Sequence, residues 1–423
     1  MNTQTALPAP PSQAARPDAP WLVLAAAFLG WMFDGLEMGI FPIVARPALQ
    51  ELLGTTADAQ VGPWMGYITA LFLLGAAGGG IVFGWLGDKV GRVRAMTASI
   101  LTYSLFTGAC YFATAAWQLG LFRFVAALGM GGEWSLGVAL VMECWPENKR
   151  SLMAGLIGAA GNCGYALIGL ITWKIPVQPD SWRWVMLAGT APAALALFVI
   201  WKVPESKRWQ ASVQRAPAAV HPLREVFAPG LWRTTVLGIL LASVALIGTW
   251  GSVQWLPLWA DKMAGKSLPK AKGITMIAQS LGAILGCFIG PWIGAISGRR
   301  PAYFLLCASS LISCGILFRT VTEFGAGFIL GAFVTGAATA SFYGWLPLYL
   351  PELFPTRVRA TGQGLCYNAG RILAAVGSIT QGKLVNFYEG SYARAGSVIT
   401  LVYLAGMALV WFGRETKGKP LPD

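Results

Sequence analysis

The sequence predicts an all-α membrane protein: twelve transmembrane helices in two pseudo-symmetric six-helix bundles. Three observations carry this. Of 423 residues, 56% are hydrophobic and only 12% charged, against about 25% charged in a soluble globular protein, so the chain cannot cover a water-facing surface. The apolar residues fall in twelve successive runs, each near the roughly 20 residues that a helix needs to span a bilayer. A polar stretch divides the runs six and six, and a glycine-rich basic loop recurs at the same place in each half.

Residues 1–20, rich in Pro and Ala and almost uncharged, read as a disordered tail. They are not a signal peptide, because the apolar run that starts at Trp21 continues past Phe41, too long for an h-region. Spans are expected at 21–45, 63–86, 95–115, 118–143, 151–173 and 182–202, which make an N-terminal bundle over 21–202. A cytoplasmic linker covers 203–231. Six more spans follow at 232–259, 272–297, 302–320, 326–350, 361–385 and 395–413, giving a C-terminal bundle over 232–413 and a tail over 414–423.

Lys and Arg set the orientation, because loops rich in them stay in the cytoplasm. One set of loops holds Lys89, Arg92, Arg94, Lys149, Arg150, Lys207, Arg208, Arg215, Arg224, Arg233, Arg299, Arg300, Arg357 and Arg359, with Arg414, Lys417 and Lys419 in the tail. The opposite set is poorer, its main cluster being Lys262, Lys266, Lys270 and Lys272. Both termini are therefore expected in the cytoplasm, beneath a multi-pass inner (plasma) membrane protein.

Several classes are excluded. The net charge of +13 does not point to nucleic acid, since the basic residues lie in short clusters between apolar runs and not on one patch. The seven cysteines stand singly, with no CxxC and no Cys/His cluster, so neither a metal site nor a cofactor is expected. With His221 as the single histidine, no Ser/His/Asp triad is available, and no Walker sequence is present for ATP. An enzyme is not expected, and the 203–231 linker is too short for the soluble domain of a sensor.

The loop from Gly84 to Arg94 (GWLGDKVGRVR) is answered in the second half by Gly294 to Arg300 (GAISGRR). Further motifs are Arg123 to Trp134 (RFVAALGMGGEW), Pro146 to Arg150 (PENKR), Pro204 to Trp209 (PESKRW), Pro351 to Gly362 (PELFPTRVRATG) and Glu415 to Gly418 (ETKG). In this order the chain resembles the major facilitator superfamily, and within it the metabolite:proton symporters that include sialic acid and aromatic acid carriers. The resemblance covers nearly the whole chain and implies the major facilitator fold, with a substrate cavity near the midplane. There are departures. The second-half loop lacks the Asp and a turn of the signature, so a gating ion pair there is expected to be weaker or absent. The fifth span lacks the Gly-Pro pair of proton antiporters, against drug efflux, and the glutamine patterns of sugar porters are not evident.

A charge at bilayer depth costs about 2.5–3.5 kcal/mol, so each one needs a reason. Asp34 and Glu37 share a face of the first span, and Arg123 and Glu133 lie in the fourth. Paired carboxylates in a low dielectric can carry a proton, with Arg123 as the opposing charge; the resemblance assigns coupling to the same first-helix acid, here Asp34-Gly-Leu-Glu37. The alternative is a permanent Asp34–Arg123 ion pair that fixes packing. Glu133 either relays protons or satisfies a neighbour. Arg371 lies about 15 Å into its span at 1.5 Å per residue, beside Tyr367 and Asn368. It reads as the anchor of an anionic substrate, the alternative being a structural pair with an acid or a helix-end carbonyl. Gln254, Gln279, Tyr343, Asn162 and Tyr165 are further candidates to line the cavity, as are Trp250, Trp255 and Trp345. At the cytoplasmic mouth, Asp88 is expected to cap a helix and pair with Arg150, with Arg92 beside it, as a gate.

The expected function is proton-coupled symport of a small organic anion (a carboxylate, sialic acid or aromatic acid) by alternating access, in a monomer. The alternative is a proton-independent facilitator or a porter of neutral sugar.

Overall fold

A computed structural model describes residues 20–55, 58–174, 181–215, 221–264, 271–389 and 391–422. The expected N-terminal tail up to residue 19, with Lys266 and Lys270, lies outside these. The first half contains α1 (Pro20–Leu53), α2 (Asp58–Val90), α3 (Arg92–Ala109), α4 (Ala116–Cys144), α5 (Arg150–Lys174), α6 (Trp182–Ala188) and α7 (Ala193–Lys202). Between the halves lie the short α8 (Lys207–Arg215) and α9 (Pro222–Glu225). The second half contains α10 (Trp232–Gly251), α11 (Leu256–Ala264), α12 (Ala271–Ser297), α13 (Arg299–Thr320), α14 (Ala326–Leu353), α15 (Arg359–Phe387), α16 (Tyr392–Ile399) and α17 (Val402–Leu409).

Among the described residues, ten segments are long and apolar enough to cross a membrane by length and composition alone. The helices α3 and α15 complete the twelve. Both are more polar because both face protein: α15 buries Thr361, Gln363, Asn368, Arg371 and Gln381, and α3 buries Arg92, Thr97, Ser99, Ser104 and Thr107. Three expected spans are broken. The sixth divides into α6 and α7 at a turn that ends on Pro192, whose missing N–H suits a helix start. The seventh breaks after Gly251, through the single turn Val253–Trp255 into α11. The twelfth tightens at Thr400 and Leu401, where Tyr403 N donates to Thr400 O at 3.2 Å and Leu404 N to Leu401 O at 3.0 Å.

Small residues set the packing. A Cβ on Gly79 of α2 would collide with Leu128 O of α4, and one on Gly286 of α12 would collide with Ala337 O of α14. Each half thus has a glycine-lined helix pair at backbone contact, as expected where lipid gives helices no hydrophobic drive to associate. The halves meet along α2–α15 and along α5 against α12 and α14. Both ends of the described chain lie at the arginine-rich end, where Trp145 Nε1 donates to Pro20 O at 3.2 Å and Arg359 Nη2 to Pro422 O at 2.6 Å. Within 414–422, Glu415, Thr416 and Pro422 are all tied into the fold.

Candidate functional site

The recurring loop folds into the same network twice. Gly91 and Gly298 have φ of 111° and 97°, a region open to glycine, and turn the chain sharply into α3 and α13. The Arg that follows bonds backward: Arg92 Nη1 donates to Gly87 O at 2.7 Å, and Arg299 Nη1 to Gly294 O at 2.7 Å. Each Arg pairs with the Glu near the end of the fourth helix of its half, Arg92 with Glu143 at 3.2 Å and Arg299 with Glu352 at 2.7 Å. A hydroxyl holds that Glu from outside: Ser206 Oγ donates to Glu143, and Thr416 Oγ1 donates to Glu352 at 2.5 Å. Finally Glu205 accepts from Arg92 N and Val93 N at 3.0 and 3.1 Å, and Glu415 from Arg299 N and Arg300 N at 2.9 and 3.1 Å. Glu143, Glu352, Glu205 and Glu415 were missed as functional candidates. Their signal was the repeat itself, a Glu three positions before Pro146 and Pro355 and a Glu-Ser or Glu-Thr after each bundle.

Asp88 is where the halves differ. It pairs with Arg92 at 2.5 Å and accepts from Thr361 N at 2.8 Å and Ala360 N at 3.3 Å, capping α15 of the other half. Arg359 crosses back to Glu143 at 2.9 Å. The expected Asp88–Arg150 pair is not formed. Arg150 begins α5, which packs on α12, whereas Asp88 ends α2, which packs on α15. Its Nε and Nη1 are buried without a hydrogen-bond partner. The second-half loop does hold an ion pair, Arg299–Glu352, but the pair stays within its own half.

Deeper in the first half, α1 presents its two acids to different neighbours. Glu37 pairs with Arg123 and accepts from Thr107 Oγ1 at 2.8 Å. Arg123 is also held over the rings of Phe72 and Phe41, at 4.7 and 5.2 Å. The partner of Arg123 is therefore Glu37 and not Asp34, because the arginine sits one turn farther along α1. Asp34 is fully buried, and neither carboxylate oxygen has a hydrogen bond. Its neighbouring charges are Glu133, Arg371 and Glu37. Glu133 is wedged against α1 where Gly30 has no side chain, with Tyr103 beside it.

Between the halves lies a small cavity, lined by Met38, Phe72, Ala76, Met130, Trp250, Ala374 and neighbours, with Arg371 as its one charged lining group among the described residues. Arg371 Nη1 donates to Asn368 Oδ1 at 3.0 Å, and its guanidinium lies 5.0 Å from the Tyr367 ring centre. Tyr367 in turn stacks on Trp134 of the first half, with centroids 4.1 Å apart and planes at 16°. Asn368 Nδ2 bonds Gly364 O at 2.9 Å and Gly131 O at 3.4 Å, so it ties the halves together below the cavity. Tyr343 reaches toward Thr249 within electrostatic range of Tyr367 and Arg371.

The other polar candidates are not among the described lining residues of this cavity. Asn162 bonds Gly158 O at 3.5 Å and Cys287 Sγ at 3.8 Å in the α5–α12 contact. Gln279 donates to Val253 O at 3.3 Å, Gln254 sits on the turn after α10, and Tyr165 packs against Gly39. Trp345 is fully buried among Tyr303 and Tyr349, and Trp255 lies against Tyr392. Met38, Phe72 and Met130 were not foreseen as cavity residues, since nothing in an apolar run separates a cavity wall from a lipid face.

This architecture, a repeated loop network around a central cavity, agrees with comparison to known proteins. The profile of the Major Facilitator Superfamily matches residues 21–378. The chain belongs to that superfamily. It is 30% identical over 413 residues, 95% of this chain and 98% of the relative, to a "Putative metabolite transport protein" of Haemophilus influenzae. It is 28% identical over 404 residues, 93% of this chain and 94% of the relative, to the "Cis,cis-muconate transport protein" of Acinetobacter baylyi. Among solved structures, the proton:xylose symporter XylE superposes with a TM-score of 0.79 over 95% of this chain and 97% of XylE at 17% identity, a likeness of fold. The chain is a multi-pass membrane transporter of a small molecule, and not an enzyme.

Proposed function

We propose that this transporter is a proton-coupled symporter of a small organic anion, working by alternating access in the plasma (inner) membrane as a monomer, with both termini and the arginine-rich end in the cytoplasm. One observation carries the reading: a cavity whose other described lining residues carry no charge holds one guanidinium, Arg371, within electrostatic range of a buried carboxylate, Asp34, that has no hydrogen bond among the described residues. In the empty carrier Asp34 and Arg371 balance each other across the halves. A substrate carboxylate that reaches Arg371 takes over that charge, a planar match for guanidinium. Asp34, left without its counter-charge in a low-dielectric site, takes up a proton. Anion and proton are then carried together.

The closed end fits the outward-facing state of such a cycle, with the α2–α15 latch barring the cytoplasm. The muconate relative supports the anion, and the xylose of XylE does not transfer at 17% identity. Apolar walls also disfavour a sugar, whose hydroxyls would lose water without replacement. The test is uptake into proteoliposomes across a panel of carboxylates and neutral sugars, with and without an imposed proton gradient. Gradient-driven uptake of a carboxylate, lost in Arg371→Ala, is expected. Gradient-independent uptake of neutral sugars alone, unchanged in Arg371→Ala, would refute it.

A further inference from the structure

The two seams between the halves share one plan. A Cβ on Gly364 of α15 would lie 2.8 Å from Gly80 O of α2, and one on Gly155 of α5 would lie 3.1 Å from Cys287 O of α12. Equal steps from these contacts toward the arginine-rich end lead to Asp88 and Arg359 in one seam, and to Ala295 and Arg150 in the other. In the first seam the Asp88 carboxylate meets the N-terminus of α15, and Arg359 has Glu143. In the second, Ala295 offers no acceptor, and among the described residues no side chain accepts from Ser151 or Leu152 at the start of α5. Arg150, only 4% exposed, keeps two buried donors unpartnered. The first seam is sealed, with Asp88, Ala360 and Thr361 buried; the second lies open, with Ala295 and Leu152 exposed.

We propose that this open end of the α5–α12 seam binds an oxyanion of the phosphate type, held by the α5 N-terminus and the Arg150 guanidinium where Asp88 stands in the other seam. A helix N-terminus and a guanidinium with unpaired N–H groups are each complementary to such a group. The charged neighbours of Arg150 are the carboxylates Glu147 and Glu352 and the guanidinium groups of Arg208 and Arg299, whereas Lys149, next in the chain, has its ammonium over the Trp145 ring at 5.7 Å. Exposed Leu152, Trp292 and Ile296 flank the opening, so a lipid phosphodiester can arrive sideways from the bilayer as readily as free phosphate from water. Once bound, the anion braces the second seam and favours the state closed at this end.

The test uses the full-length protein at constant ionic strength: unfolding temperature in micelles titrated with inorganic phosphate, and in nanodiscs of zwitterionic lipid with or without phosphatidylglycerol. Wild type should shift upward. The shift should vanish in Arg150→Gln and in Ala295→Asp, which supplies its own carboxylate, and persist in Lys149→Gln, a matched loss of charge one residue away. A shift in nanodiscs alone assigns the lipid, and a shift in both assigns free phosphate as well. Equal shifts in all four proteins, or none in wild type, would overturn the proposal. If Ala295→Asp does not fold, the contrast between Arg150→Gln and Lys149→Gln decides.

Discussion

The Asp88 carboxylate accepts the backbone N–H of Thr361 at 2.8 Å, so a side chain of one half ends a helix of the other. Helix caps are worth about 0.5–2 kcal/mol, and here the cap also bridges the two halves. Asp88→Asn keeps an acceptor for Thr361 but loses the pair with Arg92. We expect it to move population from the closed toward the open form at the arginine-rich end. Spin labels at the exposed Lys89 and Arg357, one in each half, report this as a longer distance distribution.

Glu37 and Asp34 should respond differently to neutralisation. Removing one partner of a buried ion pair costs about 3–5 kcal/mol, so Arg123→Ala, which strands Glu37, should sharply lower the unfolding temperature and the folded yield. Asp34→Asn breaks no hydrogen bond and should fold as wild type does. Thermal unfolding in detergent compares the two directly.

A Cβ on Gly30 would collide with Glu133 Oε1. Overpacking of this kind costs about 1–3 kcal/mol, so Gly30→Ala should destabilise. Shortening Glu133 removes the obstacle, and the double variant Gly30→Ala/Glu133→Ala should be more stable than the sum of the single changes predicts. A four-protein cycle of unfolding temperatures measures the difference.

The caps Glu205 and Glu415 lie outside the spans and should titrate in opposite senses. Burial pushes Glu205 up, and the N–H groups of Ser206, Val93 and Arg92 do not fully offset it. Burial also opposes ionisation of Glu415, but the N–H groups of Arg299, Lys417, Arg300 and Thr416 overcome it and hold the carboxyl below its usual value. A lowered carboxyl stabilises above its unfolded value of about 4.3 and loses that contribution as pH falls through the folded one. A raised carboxyl contributes most below about 4.3 and loses that contribution as pH rises through the folded value. Glu415→Gln should therefore cost more stability at neutral pH than in acid, and Glu205→Gln should cost less at neutral pH than Glu415→Gln. Unfolding temperatures from neutral to acid pH, for wild type and both variants, test the signs.

Much of this was legible in the sequence. Spans, halves and the repeated loop follow from apolar runs and from matching glycines and arginines, and Asp34 and Arg371 stood out because charge in lipid is costly. The partner of Arg123 was not legible. Asp34 and Glu37 share a helix face, and only the height of α4 against α1, with Phe41 and Phe72 around the guanidinium, selects Glu37. Arg150 was paired with the wrong helix because sequence gives the ends of spans but not which span each end meets. Polar candidates such as Asn162 and Gln279 read as ligands, since an amide in lipid needs a partner. The partners turned out to be neighbouring helices.

The central claim is that Asp34 carries the proton and Arg371 the anion. The most direct test is proton movement recorded by an internal pH dye while proteoliposomes take up a transported carboxylate, in wild type and in Asp34→Asn. The account predicts that substrate uptake acidifies wild-type vesicles, and that Asp34→Asn still exchanges internal for external substrate but neither acidifies nor accumulates it. Acidification by Asp34→Asn equal to wild type would contradict it.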